Sequence, residues 1–187
     1  MKKKKVFVLL IPLVIIISMF AFALPKHKSP VYCKYADSIT DSYLRYLKKE
    51  HQIKCVGAGG GFLSNVEEIF LALSSIENNV NVDRARVHYI NFTEELLMRV
   101  NKDEKIRPYL SHYPFSEKGI SLTLSFIVSE EEPQKGYVSY MTFVNGKIIY
   151  AHDDPDSKKL EVFYEEPYEE ALRIVREAGR LSLSGVQ

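Results

Sequence analysis

Apolar residues recur every three to four positions in some stretches and every second position in others, and these periods set out the expected elements. Between Asp37 and Glu50, Tyr43, Leu44 and Leu47 share a stripe with Ile39 nearby, while Arg45, Lys48, Lys49 and Glu50 face away, which predicts a helix. His51 to Val56 reads as a short strand, and the run Gly57-Ala58-Gly59-Gly60-Gly61 reads as a break in regular structure. Val66, Ile69, Phe70, Leu73 and Ile76 follow a helical period behind Ser64-Asn65-Val66-Glu67, which fits a capping box, so a second helix is expected, ending at Asn78-Asn79. The longest helix is expected from about Val82 to Asn101, with Ala85, Tyr89, Phe92, Leu96 and Val100 as its stripe.

The second half changes character. Arg107 to Phe115 is an aromatic loop with two prolines. Ile120 to Val128 alternates apolar and polar residues, as a half-buried strand does. Glu130-Glu131-Glu132-Pro133 suits a loop tip. Tyr137–Val144 and Lys147–His152 flank Asn145-Gly146, a hairpin signal that sets Phe143 opposite Ile148 and Met141 opposite Tyr150. Leu160–Tyr164 supplies a fourth strand. Pro167 at the first helical position then opens a last helix through Ala178, with Ala171, Leu172 and Val175 inward and Gly179 as its cap. The order predicts an α+β fold: N-terminal helices, a four-stranded antiparallel meander, and a C-terminal helix packed on the sheet.

Composition narrows the function classes. The 187 residues are 46% hydrophobic and 26% charged, which excludes wholesale disorder, and a net charge of +1 excludes a strongly basic nucleic-acid binder. That charge is unevenly placed. Lys2 to Lys5 precede an apolar run from Val6 to Phe20 and then Ala21-Phe22-Ala23, and the first acidic residue is Asp37. This is the layout of a secretory signal cut after Ala23; because Val6 to Leu24 is long enough to approach a bilayer span, an uncleaved anchor is the alternative. Both place the rest of the chain outside the cytoplasm, as a periplasmic, envelope-associated or secreted protein or one held on the inner membrane by residues 6–24. Cleavage would leave 164 residues at a net charge of −3, because four lysines and no acids are lost. A lipoprotein is disfavoured, since Pro30-Val31-Tyr32 before Cys33 lacks the small residues the lipidated cysteine needs. The expected organisation is a signal or anchor at 1–23, a linker at 24–36, a single domain at 37–179 and a flexible tail at 180–187.

Cys33 and Cys55 are the two cysteines, and an even count in an oxidising compartment predicts one disulfide, which would add about 3 kcal/mol of stability. The competing reading is a reactive Cys55 thiol near His51. The glycine run, with Gly59, Gly60 and Gly61 ahead of an expected helix start, is a candidate backbone anion or peptide-carboxylate site, but Phe62 stands where a dinucleotide fingerprint needs glycine. Arg107, Tyr109, His112, Tyr113 and Phe115 form the second candidate, a composition common in binding hot spots. His152-Asp153-Asp154-Pro155-Asp156 lacks the spacing of a calcium loop and reads as an acidic turn. Neither a metal set nor a catalytic motif stands out, and no cofactor is expected. Cys55 with its glycines, Arg107-Pro108-Tyr109-Leu110, Tyr113-Pro114-Phe115 and Tyr168-Glu169-Glu170-Ala171 together resemble small exported proteins of Gram-negative bacteria, including ones that live inside host cells. That resemblance implies export and no particular activity. The sequence therefore predicts a non-catalytic exported protein that binds a protein or peptide outside the cytoplasm, touching the membrane only through an uncleaved N-terminal segment. The alternative is an extracytoplasmic hydrolase or transferase with His112 or His152 as base and the glycine loop as oxyanion donor.

Overall fold

The computed structural model describes residues 29–126, 136–154 and 159–184. The expected signal or anchor, the acidic loop tip at 130–133, and Pro155 and Asp156 lie outside the described residues. The order is α1 (Val31–His51), β1 (Lys54–Gly61), β2 (Glu68–Ser75), α2 (Val82–Lys102), β3 (Ile120–Phe126), β4 (Tyr140–Val144), β5 (Lys147–Asp153), β6 (Leu160–Pro167) and α3 (Tyr168–Glu177), with short 3-10 turns at Arg107–Tyr109 and Glu117–Gly119.

The strands form one six-stranded sheet in the order β1-β2-β3-β4-β5-β6. All neighbours are antiparallel except β2 and β3, which run parallel with Leu71 opposite Leu122 and Leu73 opposite Leu124. This corrects the expected four-stranded antiparallel meander. The two added strands, β1 and β2, come from the glycine run and from the segment expected to be a helix. The apolar residues of 66–76 fit both periods, because Ile69, Leu71 and Leu73 also alternate. In the fold these three are buried and Phe70 and Ala72 are half-buried, so β3 alongside decides for strand. The hairpin appears in the expected register, with Phe143 opposite Ile148 and Met141 opposite Tyr150.

A parallel pair cannot be closed by a tight turn, so the chain between β2 and β3 must cross over the sheet, and α2 is that crossing. The helices lie on one face, over Ile69, Leu71, Leu73, Ile120, Leu122, Leu124, Met141, Ile148 and Tyr150, all buried. Residues of the opposite face, such as Phe70, Ala72, Ser121, Thr123, Ser125, Thr142 and Ile149, are half-buried. Asn81 caps α2 by accepting the Arg84 amide at 2.9 Å. The Tyr43 hydroxyl of α1 donates to the Phe92 carbonyl of α2 at 2.8 Å, and the Tyr89 hydroxyl of α2 donates to the Leu122 carbonyl of β3 at 2.8 Å. Burial pushes both phenols upward from their ordinary range, so they remain donors.

Charge is also taken into the core. Arg86 of α2 is 6% exposed and donates from Nε to Glu166 of β6, 3% exposed, at 2.7 Å. It donates a second bond to Asp83 at 2.6 Å, and the Tyr150 hydroxyl donates to the same Glu166 oxygen. The segment expected as linker is helical from Val31. The tail is hydrogen-bonded to α2 as far as Ser184: the Ser182 amide donates to Asn91 Oδ1 at 2.7 Å, and the Ser184 amide donates to Glu95 Oε2 at 2.8 Å. Residues 185–187 lie outside the described residues. Burial pushes the Glu95 carboxyl up, but the Ser184 hydroxyl and amide and the Arg99 guanidinium outweigh it and leave it below the usual carboxylate range.

Two outcomes are expected. Arg86→Leu strands a buried Glu166 and should cost about 3–5 kcal/mol in urea unfolding, while Arg86→Met combined with Glu166→Leu should recover most of that loss. A lowered carboxyl stabilises the charged form, so the Glu95 contribution is complete above about pH 4.3 and is lost as pH falls through its lower folded value. Glu95→Gln should therefore destabilise the protein by about 1–3 kcal/mol at pH 7 and by progressively less below pH 4, followed by chemical denaturation across that range.

Candidate functional site

The expected site residues fall into one neighbourhood at the start of α1 and the end of β1. The Val66 amide donates to the Tyr109 carbonyl at 2.7 Å and the Ser111 amide to the Val66 carbonyl at 3.0 Å, which ties the 107–115 loop to the β1–β2 connection. The Glu67 amide donates to the Gly61 carbonyl at 2.9 Å, and the Tyr32 hydroxyl of α1 donates to the Leu63 carbonyl at 3.1 Å. The Tyr109 ring lies 5.7 Å from Tyr32 and 6.1 Å from Tyr35 between centroids. Gly59, Gly60 and Gly61 thus sit one short connection away from Arg107, Tyr109, His112, Tyr113 and Phe115.

Within the loop the residues divide by exposure. Phe115 is 2% exposed and belongs to the core, and Tyr109 is half-buried against α1. Asn101 fixes the backbone at Phe115 by accepting its amide at 2.7 Å and donating to its carbonyl at 2.9 Å. Tyr113 is 56% exposed, with the Arg107 guanidinium 4.9 Å from its ring centre. Leu63, 89% exposed, lies two residues past the glycine strand. Nothing in the spacing of the sequence singles out Leu63, and Tyr35 and Leu63 are the surface residues that sequence reasoning missed.

The glycine run is not a loop. Gly57, Gly59 and Gly61 pair with Ala72, Phe70 and Glu68 of β2, with a register shift between Cys55 and Gly57 that leaves Val56 out of the ladder. Gly60 is required by packing, because a Cβ there would stand 2.2 Å from the Glu68 carbonyl oxygen and 2.5 Å from the Phe62 ring. A Cβ at Gly59 would meet nothing within 4 Å. The expected anion cradle ahead of a helix is therefore absent in that form, since β2 follows instead of a helix.

The histidines proposed as bases are placed as follows. His112 stacks on Phe115 with 5.2 Å between centroids, and its Nε2 accepts the Ser116 amide at 3.2 Å. Its Nδ1 lies 3.0 Å from the Ser111 hydroxyl. The Ser116 hydroxyl, 3.2 Å from Nε2, shares a lone pair already engaged by the backbone, which is poor geometry for general-base activation. His152 faces Glu161 at 3.6 Å and the Phe163 ring. Among the described residues no group of three His, Cys, Asp or Glu side chains is placed to hold a metal ion, and no helix is long and apolar enough to cross a membrane.

Cys33 and Cys55 are both free, which corrects the expected disulfide. Cys33 lies in the first turn of α1 instead of in a linker. At 1.5 Å rise per residue the end of that helix, which leads into Cys55, is about 27 Å further on. β1 then runs back along α1, as the Tyr32–Leu63 bond shows, so Cys55 sits beside the far half of the helix. There it lines a groove of about 630 Å³ with Asp41, Leu44, Arg45, Lys48, Ile53 and Lys54. No family model, curated protein or solved structure matches the chain.

Thiol titration of the unfolded, non-reduced protein should give two equivalents per chain. In the native state exposed Cys55 should react well before half-buried Cys33. Cys33→Ser should shift stability by less than the 2–4 kcal/mol typical of a lost disulfide.

Proposed function

We propose that the chain is an exported, non-catalytic binding module that recognises a protein or peptide outside the cytoplasm. The observation that carries this reading is the exposed aromatic end: Tyr113 under Arg107 and the almost fully exposed Leu63, both mounted on backbone bridged through Val66. Large apolar side chains exposed on a pinned backbone favour association, because little ordering entropy remains to be lost on contact. Arg and Tyr supply the flat amphipathic surface on which interface energy concentrates. The export half of the proposal draws on the Lys2–Lys5 start and the apolar run that follows it. The resemblance to small exported bacterial proteins agrees with it and adds no activity.

The test is crosslinking of the full chain in envelope and culture fractions, with its own N-terminus retained. Tyr113→Ala and Leu63→Ser should each reduce partner recovery at least tenfold while shifting unfolding by no more than about 0.5 kcal/mol, as expected of exposed positions. Loss of the folded state in either variant would make these residues structural and remove the proposal.

A further inference from the structure

We infer that the free edge of β1 takes up an extended peptide as an added strand, with an acidic residue of that peptide beside Lys54. This rests on the binding reading above and names the partner's chemistry and mode.

β1 is an edge strand, hydrogen-bonded within the sheet on the β2 side only. Natural edges are usually blunted by charge, proline or cover. Beyond the irregularity at Val56, Gly57 to Gly61 carries neither charge nor proline, and the Phe62 ring packs on it only at Gly60. Besides the ladder with β2, the partners its backbone meets among the described residues are the Glu67 amide, which donates to the Gly61 carbonyl, and the Cys55 thiol, which donates to the Gly57 carbonyl at 3.3 Å. One side of the edge opens onto the groove between α1 and the start of β1. The other opens over Gly59, where a Cβ would meet nothing, next to half-buried Phe70. Alternate side chains of an added strand would thus drop into the groove and over the glycines, while its main chain completes the ladder.

Charge and composition narrow the occupant. Arg45, Lys48 and Lys54 line the groove against one carboxylate, Asp41, and none of the three cations forms an ion pair with a described residue. Leu44 and Ile53 supply apolar wall. A second copy pairing through its own β1 would set glycine against glycine and bury almost no side chain, so cross-strand contact would contribute little. A heterologous strand with β-branched side chains and an acidic end fits both the empty space over glycine and the unpaired cations.

The probe is an eight-residue peptide alternating valine and threonine and closed by two aspartates, titrated by anisotropy into the purified full chain. Two derivatives are methylated on alternate backbone nitrogens, one set odd and the other even, with side chains and charge unchanged. Strand addition expects one derivative to bind at least tenfold more weakly and the other to bind as the parent does. It also expects slowed amide exchange in residues 57–61 when the parent binds. Lys48→Glu with Lys54→Glu, both exposed positions, should weaken the parent at least tenfold with unfolding unchanged.

Equal binding of the two derivatives, or no binding of the parent, overturns the inference. Protection confined to residues 107–113 would also overturn it while leaving the binding reading intact. Protection of 57–61 that grows with protein concentration alone would assign the edge to a second copy, and protection at 160–167 would assign the peptide to the other edge; either result overturns it.

Discussion

The fold depends on the parallel pairing of β2 with β3. Two strands that run the same way side by side force the intervening chain over the sheet, and here that chain is α2. A crossing helix has neighbours on several sides, which explains a burial set that a simple amphipathic stripe does not describe: Arg86, Thr93 and Glu95 are buried along with Ala85, Tyr89, Phe92, Leu96 and Val100. Each polar member is then obliged to find a partner inside the protein. Thr93 donates to the Tyr89 carbonyl, Arg86 reaches β6, and Glu95 holds the chain's last described residue.

The same crossing determines what is left outside. With β3 occupying one side of β2, β1 can pair only on the other side and becomes the border of the sheet. α1 precedes it through the two residues between His51 and β1, runs antiparallel to it, and fixes the aromatic end through Tyr32. The exposed Leu63 and Tyr113 and the edge strand at Gly57–Gly61 therefore follow from one structural decision.

Much of this was legible in the residues, and the failures have physical causes. The alternation of Ile120 to Phe126, the Asn145-Gly146 hairpin, the long helix from Val82 and the last helix all carry local signals strong enough to survive in the fold. The stretch around Ile69 to Leu73 does not, because eight apolar-rich residues satisfy either period and only a partner strand decides between them. Glycine 57–61 misleads for a related reason: low intrinsic strand preference is overridden where β2 offers a full ladder and where Gly60 must pass close to Glu68. The disulfide failed because its reach depends on α1 starting at Val31, six residues before the apolar period begins to declare it. For the candidate site, the aromatic-arginine composition of 107–115 was visible, but which rings face water was not. Phe115 and Tyr113 look alike in sequence, and what separates them is the grip of Asn101 on the backbone at Phe115 and the packing of the Phe115 ring on Gly119 and His112.

The clasp of Ser182 and Ser184 on α2 bears on the order in which the domain can form. These bonds join positions 91 and 89 residues apart, and the Arg86–Glu166 pair joins positions 80 apart. The middle helix therefore cannot finish burying its charges until Glu166 and Ser184 have been synthesised. The contacts that close this helix are thus supplied long after the helix itself has been made.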